Sequence, residues 1–382
     1  MHDAARTLVV FSGGGTGGHL YPALALADAL VELRPDVRPF FVGASRGVEA
    51  DILPRRGVEH ALLPVEGFAR GRGLSGLRAL PKLGVSLLRV ASLFRSLGPE
   101  VVVVTGGYAG GPAGLVAGAW RTPLVLQEQN AVPGVTTRLL SRWARQVHVA
   151  FPEALERLPR RARERARVSG NPVRPVPALD RARARASFGL PERGLVLLVV
   201  GGSQGARALN RALVEAVGSV ARGELEGVEG LSILWSTGPR NHAEVTSALA
   251  SAGAPAWVKA VPYIDDMPAA LVSADLAVSR AGAMATAELL NHHLPAVLIP
   301  LPTAAADHQT KNAQALAEAG AAVLAAEAGL TGRALWEQVL RLASDEPART
   351  AMAAAAAQRA RPDAAREIAR DIATLLPSRR VA

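Results

Sequence analysis

Two stretches of this chain, about 190 residues apart, share one design: an apolar β-type run, a cluster of glycines, then a helical pattern. The first is Leu8-Val9-Val10-Phe11-Ser12-Gly13-Gly14-Gly15-Thr16-Gly17-Gly18-His19. The second is Leu197-Leu198-Val199-Val200-Gly201-Gly202-Ser203-Gln204-Gly205-Ala206. Glycine has no Cβ, so backbone N–H groups can crowd at the amino end of a helix, where the macrodipole favours an anion. Two such turns predict two nucleotide-fold domains with a ligand cleft between them. A length of 382 residues suits two domains of ordinary size.

The rest of the chain supports that division. Short Val- and Leu-rich runs at 7–11, 39–42, 61–64, 101–105, 124–127 and 147–149 alternate with helical patterns, which indicates a parallel sheet covered on both faces. Gly170-Asn171-Pro172-Val173-Arg174-Pro175-Val176-Pro177 then keeps the backbone extended and marks a boundary. The pattern restarts with strands expected at 195–200, 232–235, 257–260, 276–279, 296–299 and 322–324. The expected domains are 1–170 and 171–360, with an alanine- and arginine-rich helix near 360–382 that could return to the first.

Composition removes several classes. There is no cysteine, hence no disulfide or thiolate chemistry, and a cytoplasmic setting fits. The residues before the first strand contain no signal-like apolar run. Val101 to Trp120 carries no charge, but its six glycines and Pro112 read as strand, turn and short helix rather than a membrane span. The formal charge of +10 is one-sided: residues 1–170 hold 22 Lys and Arg against 13 Asp and Glu. That bias suggests an anionic surface as partner without calling for nucleic acid. Neither a P-loop nor a metal-ligand spacing occurs; Asp265-Asp266 reads as a helix start, and His292-His293 would point apart on a helix.

Gly13, Gly15 and Gly18 satisfy G-x-G-x-x-G, yet a dinucleotide fold also needs an acid at the end of the second strand. Here that strand ends Phe41-Val42-Gly43-Ala44-Ser45-Arg46, with no acid in place, so NAD and FAD are not expected. His19, closing the glycine nest, is a candidate acid or base. Thr105-Gly106-Gly107-Tyr108-Ala109-Gly110-Gly111-Pro112 is a third glycine turn. With the first it could cradle a diphosphate, or it could serve close helix–sheet packing. Gln127-Glu128-Gln129-Asn130 lies at the carboxyl end of a buried-type strand, where open α/β sheets bind ligands. In the second half, Gly282 and Ala283 would open a helix toward a pyrophosphate, and Glu288 would reach a ribose diol. The nucleotide is therefore expected on the second domain, with Asp307–Asn312 offering amides to a sugar.

Leucines in Leu74–Leu97 exceed one buried helix face and interleave with Arg78, Lys82, Arg89 and Arg95. Arg70, Arg72, Arg138, Arg142 and Arg145 add charge in the same half. The pattern suits an anionic lipid surface, or a core helix with a solvated basic face.

In these motifs, together with Gly170–Arg174, Ile264-Asp265-Asp266-Met267 and the block from Arg280 through Glu288 to Gln309 and Asn312, the chain resembles the MurG family, the glycosyltransferases of peptidoglycan synthesis. The resemblance spans roughly residues 8–320. It implies a GT-B fold: two Rossmann-like domains with parallel sheets separated by a deep cleft. It implies transfer of GlcNAc from UDP-GlcNAc to undecaprenyl-diphosphate-MurNAc-pentapeptide (lipid I), giving lipid II, with no cofactor and no metal. By the same resemblance Thr16, Gly17, Gly18, Asn130, Arg174, Ser203, Ile264, Ala283, Met284, Ala285, Thr286, Ala287, Glu288 and Gln309 contact the sugar nucleotide. Glu288 would hold the ribose and Ile264 would sit by the uracil. His19 is then the catalytic base, and Gly14, Gly15, Gly106, Gly107 and Tyr108 face the acceptor diphosphate. A peripheral place on the cytoplasmic face of the membrane follows, with room for other cell-wall synthesis proteins. Two departures stand out. Gln127 occupies a position where many members carry histidine, and Met284-Ala285 replaces the usual Leu-Thr. Other UDP-sugar transferases or epimerases on this fold, and a membrane-surface nucleotide-sugar sensor, remain open.

Overall fold

The computed structural model describes residues 7–66, 79–202 and 204–378. The chain divides into two compact units, one of residues 1–173 with 362–382 and the other of residues 174–361.

The first unit runs β1 (Thr7–Gly13), α1 (Gly17–Leu33), β2 (Val37–Ala44), α2 (Glu49–Arg55), β3 (His60–Leu63), α3 (Ala79–Leu97), β4 (Val101–Gly106), α4 (Gly110–Trp120), β5 (Leu124–Glu128), α5 (Val135–Leu140), β6 (Gln146–Val149), the one-turn α6 (Glu153–Glu156) and α7 (Arg160–Arg163), and β7 (Ala166–Val168). Its seven strands lie in the order β3-β2-β1-β4-β5-β6-β7. Every pairing in this sheet is parallel. The switch in strand order falls between β1 and β4, beside the first and third glycine turns. Crevices at such switch points, outside the carboxyl ends of the strands, are where open sheets take ligands.

The second unit runs α8 (Arg181–Ser187), β8 (Leu195–Val200), α9 (Arg207–Ala221), β9 (Leu231–Ser236), α10 (His242–Ser251), β10 (Val258–Val261), α11 (Met267–Ser273), β11 (Leu276–Ser279), α12 (Ala283–Asn291), β12 (Ala296–Leu298), α13 (His308–Glu318), β13 (Val323–Leu324), α14 (Gly332–Ser344) and α15 (Glu346–Arg359). Its sheet has the order β10-β9-β8-β11-β12-β13, again all parallel. The last helix, α16 (Ala364–Ala373), belongs to the first unit.

All twelve expected strands are present. Their runs are apolar at nearly every position because helices cover both faces. In β1, Val9 and Phe11 pack with α1 and α16, while Leu8 and Val10 pack on the opposite side with Val90 and Phe94 of α3. The period-two alternation in β4 divides likewise, Val101 and Val103 against Val102 and Val104. Ile368, Ala369 and Ile372 seat α16 in the first of these clusters, and its Asp371 pairs with Arg167 at 2.8 Å. In the second unit Trp235, Trp336 and Leu335 fill the core beside Leu197 and Val199. One strand was not expected. β7 is a three-residue edge strand whose central Arg167 is exposed, so it carries no apolar run. Val101–Trp120 forms β4 and α4, and no helix among the described residues is long and apolar enough to cross a membrane.

Candidate active site

Strand β1 ends in the first glycine turn and feeds α1, whose N-cap Thr16 is exposed and makes no side-chain cap. The first hydrogen bonds of the helix run from the N–H groups of His19 and Leu20 to the Thr16 carbonyl. His19 therefore stands one turn in, half-buried, at the carboxyl edge of the sheet. Its Nδ1 lies 3.1 Å from the Thr105 carbonyl oxygen and 2.9 Å from Gln129 Oε1.

Those two partners set the tautomer. The Gln129 amide nitrogen donates to the Thr105 carbonyl at 2.7 Å, to the Gln127 carbonyl at 3.0 Å and to Gln127 Oε1, so its oxygen is the end facing the histidine. Both neighbours of Nδ1 are then acceptors, and Nδ1 must carry the proton. In the neutral form of the ring, Nε2 then carries the lone pair. A neutral imidazole presented this way is equipped to take a proton from a hydroxyl. Thr105 completes the clasp by donating its hydroxyl to the His19 carbonyl at 2.7 Å.

The third turn packs against this group. Gly106 and Gly107 both have positive φ, at 95° and 72°. A Cβ on Gly107 would overlap the Gly14 carbonyl, and one on Gly106 would crowd the His19 ring. These glycines permit close approach of the first and third turns. The Tyr108 ring closes over Gly15, and burial, then the charge of Glu49, pushes its phenol up.

The polar cluster after β5 does two jobs. Gln127 and Gln129 are buried; Gln127 donates to Asn171 Oδ1 at 3.0 Å, and Asn171 donates to the Gln129 carbonyl at 3.1 Å. Glu128, also buried, accepts from the Asn130 N–H at 3.1 Å, the Gly134 N–H at 2.9 Å and the Thr137 hydroxyl at 2.6 Å. It shapes the loop that carries Asn130, a structural task that sequence reading did not assign to it.

In the second unit β11 leads into α12. Gly282 is its N-cap and supplies no side-chain cap. Arg280 does not point to a ligand: it is buried, donates to the Ile299 carbonyl at 3.1 Å and pairs with Glu327. Ala283, Met284, Ala285 and Ala287 are half-buried around the helix start, and Thr286 is turned inward with its hydroxyl on the Gly282 carbonyl. Glu288 sits one and a half turns in. Burial lifts its carboxyl to about 7, and the charge of Arg174 opposes that rise. Gln309 uses its side-chain oxygen on the Leu301 N–H at 3.0 Å, and Asn312 donates to the Ala281 carbonyl at 3.2 Å. Ile264 has a buried side chain just before α11, where Asp266 caps the helix by accepting from the Ala269 N–H at 3.1 Å. Ser203 lies outside the described residues; its neighbours Gly202 and Gly205 have φ of 87° and 74°.

The expected residues thus form two groups. Thr16, Gly17, Gly18, His19, Gly106, Gly107, Tyr108 and Asn130 belong to the first unit, and Arg174, Ile264, the α12 residues and Gln309 to the second. The Gly15 N–H, in the turn expected to face the acceptor, is bonded to the Glu49 carboxylate at 2.9 Å. Glu49 was not singled out by sequence, and Gln129, noted within the polar cluster after β5, was not foreseen as the partner of His19. The Leu74–Leu97 stretch is partly described. Leu87, Leu93 and Leu97 of α3 pack on the core, and Lys82 is tied to Glu66 at 2.6 Å. Among the described residues of this unit, Val85 and Leu88 on α3 are exposed, as are Trp120, Val135, Leu139 and Trp143 from α4, α5 and the segment after it, and Tyr21, Leu33 and Val48 elsewhere. Arg95 lies 5.9 Å over the Trp120 ring and Arg142 5.3 Å over that of Trp143. Residues 67–78, including Arg70, Arg72 and Arg78, are outside the described residues. Among the described residues no cluster of three or more metal-ligating side chains occurs.

Two parallel-sheet units, each opening a helix without a side-chain cap beside a glycine turn, are the architecture of nucleotide-sugar glycosyltransferases, and comparison with known proteins agrees. The glycosyltransferase family 28 N-terminal domain matches residues 9–149 and the family 28 C-terminal domain residues 196–368. The UDP-N-acetylglucosamine–N-acetylmuramyl-(pentapeptide) pyrophosphoryl-undecaprenol N-acetylglucosamine transferase of Moorella thermoacetica is 43% identical over 361 residues, 93% of this chain and 95% of that one. The enzyme of the same name from Chlorobium luteolum is 41% identical, covering 94% and 97%. The crystal structure of Acinetobacter baumannii MurG matches with a TM-score of 0.77 at 30% identity, over 96% of this chain and 99% of that one. The chain belongs to the MurG family. The calicheamicin glycosyltransferase CalG4, with a TM-score of 0.67 at 18% identity over 97% and 98%, shares the fold.

Proposed function

We propose that this chain transfers GlcNAc from UDP-GlcNAc to the 4-hydroxyl of MurNAc in undecaprenyl-diphosphate-MurNAc-pentapeptide, forming a β-1,4 linkage with inversion. The observation that carries the reading is the His19 imidazole, held at Nδ1 by Gln129 and Thr105 so that Nε2 is the nitrogen left for the acceptor. In the reaction the acceptor oxygen attacks C1 of GlcNAc, the bond from C1 to the β-phosphate oxygen breaks, and UDP departs with that electron pair. His19 Nε2 takes the hydroxyl proton as the new bond forms. The start of α12 and Arg174 lie on the unit that takes the nucleotide, and they stabilise charge growing on the leaving diphosphate. Glu288, ionised, accepts from both ribose hydroxyls. Gln309, its oxygen engaged with Leu301, has its amide N–H groups left for the sugar.

The lipid-linked acceptor places the reaction at a membrane surface on its cytoplasmic face. The exposed set of Leu88, Val85, Trp120, Val135, Leu139 and Trp143, with Arg95 and Arg142 over the two indoles, suits insertion among anionic headgroups. Other cell-wall synthesis proteins are natural neighbours there.

The test is to incubate the chain with radiolabelled UDP-GlcNAc and a short-chain lipid I analogue in the presence of EDTA. Label in the disaccharide product is expected. Donor binding without turnover would favour a sensor, and a requirement for added metal would overturn the site description.

A further inference from the structure

Glu49 is the first residue of α2, a position where acids commonly face water and the helix dipole. Here the side chain is fully buried and turns back onto the first glycine turn. Its Oε1 accepts from the Gly15 N–H at 2.9 Å and from the Ala44 N–H at 2.8 Å, and its Oε2 lies 3.0 Å from the same Gly15 nitrogen. Three glycines make room for it. A Cβ on Gly14, Gly43 or Gly47 would overlap the Glu49 side chain. No hydrogen bond joins it to an arginine or lysine among the described residues, so backbone N–H groups alone receive the carboxylate. That is how a glycine nest receives an anion. The first turn already holds one, supplied by the chain itself.

The turn so filled is also the one that positions the acceptor side. Gly15, at φ 89°, lies under the Tyr108 ring, and the Gly14 carbonyl abuts Gly107. One residue further, Thr16 starts the helix that carries His19. A buried carboxylate bonded to both the turn and the end of β2 fixes these contacts as a unit.

We propose that Glu49 is a positioning residue for the transfer reaction: it pins Gly14 and Gly15 so that His19 and Tyr108 are held toward the acceptor, and it closes the Gly15 N–H to the acceptor diphosphate. This rests on the reading that His19 serves the acceptor. It differs from a purely structural acid in affecting use of the acceptor far more than that of the donor, to which Thr16, Gly17 and Gly18 are assigned.

The experiment compares Glu49→Ala, Glu49→Gln and Gly47→Ala in steady-state kinetics with both substrates varied, alongside urea unfolding midpoints. Displacing a catalytic group by about 1 Å costs on the order of 10²-fold. Glu49→Ala is expected to lower kcat/KM for the lipid I analogue by about that factor, with the KM for UDP-GlcNAc within about twofold of wild type. Glu49→Gln keeps an accepting oxygen for Gly15 and Ala44 and should recover most of the loss. Gly47→Ala displaces the carboxylate without changing any charge and should give a smaller loss of the same kind. If Glu49→Ala does not fold, Gly47→Ala carries the test. Kinetic constants unchanged in folded variants, or both substrates affected alike, would overturn the proposal. His19→Ala in the same assay separates the two readings: a silent His19→Ala beside an acceptor-specific Glu49→Ala removes the base and keeps the positioning residue.

Discussion

Burial lifts the Glu288 carboxyl to about 7 from an ordinary 4.5, against the opposing charge of Arg174. A carboxylate that accepts from both ribose hydroxyls must be ionised, whereas a protonated carboxyl loses accepting capacity. Nucleotide binding then competes with the proton, and the bound pKa falls below the free one. Affinity for UDP-GlcNAc is therefore full above pH 7 and weakens as pH falls through it. With a free pKa of about 7, the ionised fraction drops about tenfold between pH 8 and pH 6, and the Kd should rise by about that factor, roughly 1.4 kcal/mol. The diphosphate diester of the ligand does not titrate in this range, so the slope reports on the protein.

Isothermal titration of the donor at pH 6, 7 and 8, in buffers of different ionisation enthalpy, reads both the Kd and the proton released. Near pH 7 about half a proton should leave on binding. Glu288→Gln should bind more weakly at pH 8 and lose the pH slope. Arg174→Ala removes the opposing charge and should move the midpoint upward. A flat wild-type Kd, or the same slope in Glu288→Gln, would refute the assignment of this carboxylate to the ribose.

Other expectations follow from neighbouring features. His148 is buried, donates or accepts at Ser169 Oγ at 2.8 Å, and is held down to about 4 by burial, with Arg167 adding to the effect and Asp371 opposing it. Unfolded, it takes a proton near 6.5, so its contribution to stability is full above that pH, falls as pH drops through the window from 6.5 to 4, and levels off below. Between pH 7.5 and 5.5 this amounts to about 1.4 kcal/mol, and the difference in urea midpoints between wild type and His148→Gln across that range should show it. Ile368→Ala on α16 empties part of the first unit's core and should cost about 2–5 kcal/mol in unfolding of that unit; a loss under about 0.5 kcal/mol would contradict the packing. Replacing Leu88 by Ser and Arg95 and Arg142 by Glu should weaken sedimentation with anionic liposomes at least tenfold while leaving donor affinity unchanged; undiminished binding would place the lipid surface elsewhere.

What could be read ahead of the structure, and what could not, divides by range. Strands such as Val101–Gly106 are legible because a strand covered on both faces has to be apolar at successive positions. β7 is illegible for the converse reason: at the sheet edge its Arg167 faces outward to Asp371. The glycine turns announce themselves locally, but their contents do not. Glu49 reaches Gly15 from 34 residues away, and Gln129 reaches His19 from 110 away, through neighbouring strand ends that no spacing rule links. A retrospective signal exists for Glu49: Gly43 and Gly47, just ahead of it in sequence, leave the room its side chain fills. The number of α3 leucines alone does not say which of them are exposed. Helix periodicity separates Val90 and Phe94 from Leu88, but it does not reveal that neighbouring elements also cover Leu87, Leu93 and Leu97.

The chemical claim at the centre is that His19 Nε2 removes the acceptor proton while Gln129 holds the other nitrogen protonated. Single-turnover transfer from bound UDP-GlcNAc to saturating lipid I analogue by His19→Ala measures it directly. A loss of about 10²–10⁴ in the rate of transfer, with the donor Kd unchanged, is the predicted result. A rate within about threefold of wild type at saturating acceptor would contradict it, since general-base catalysis is worth far more than that.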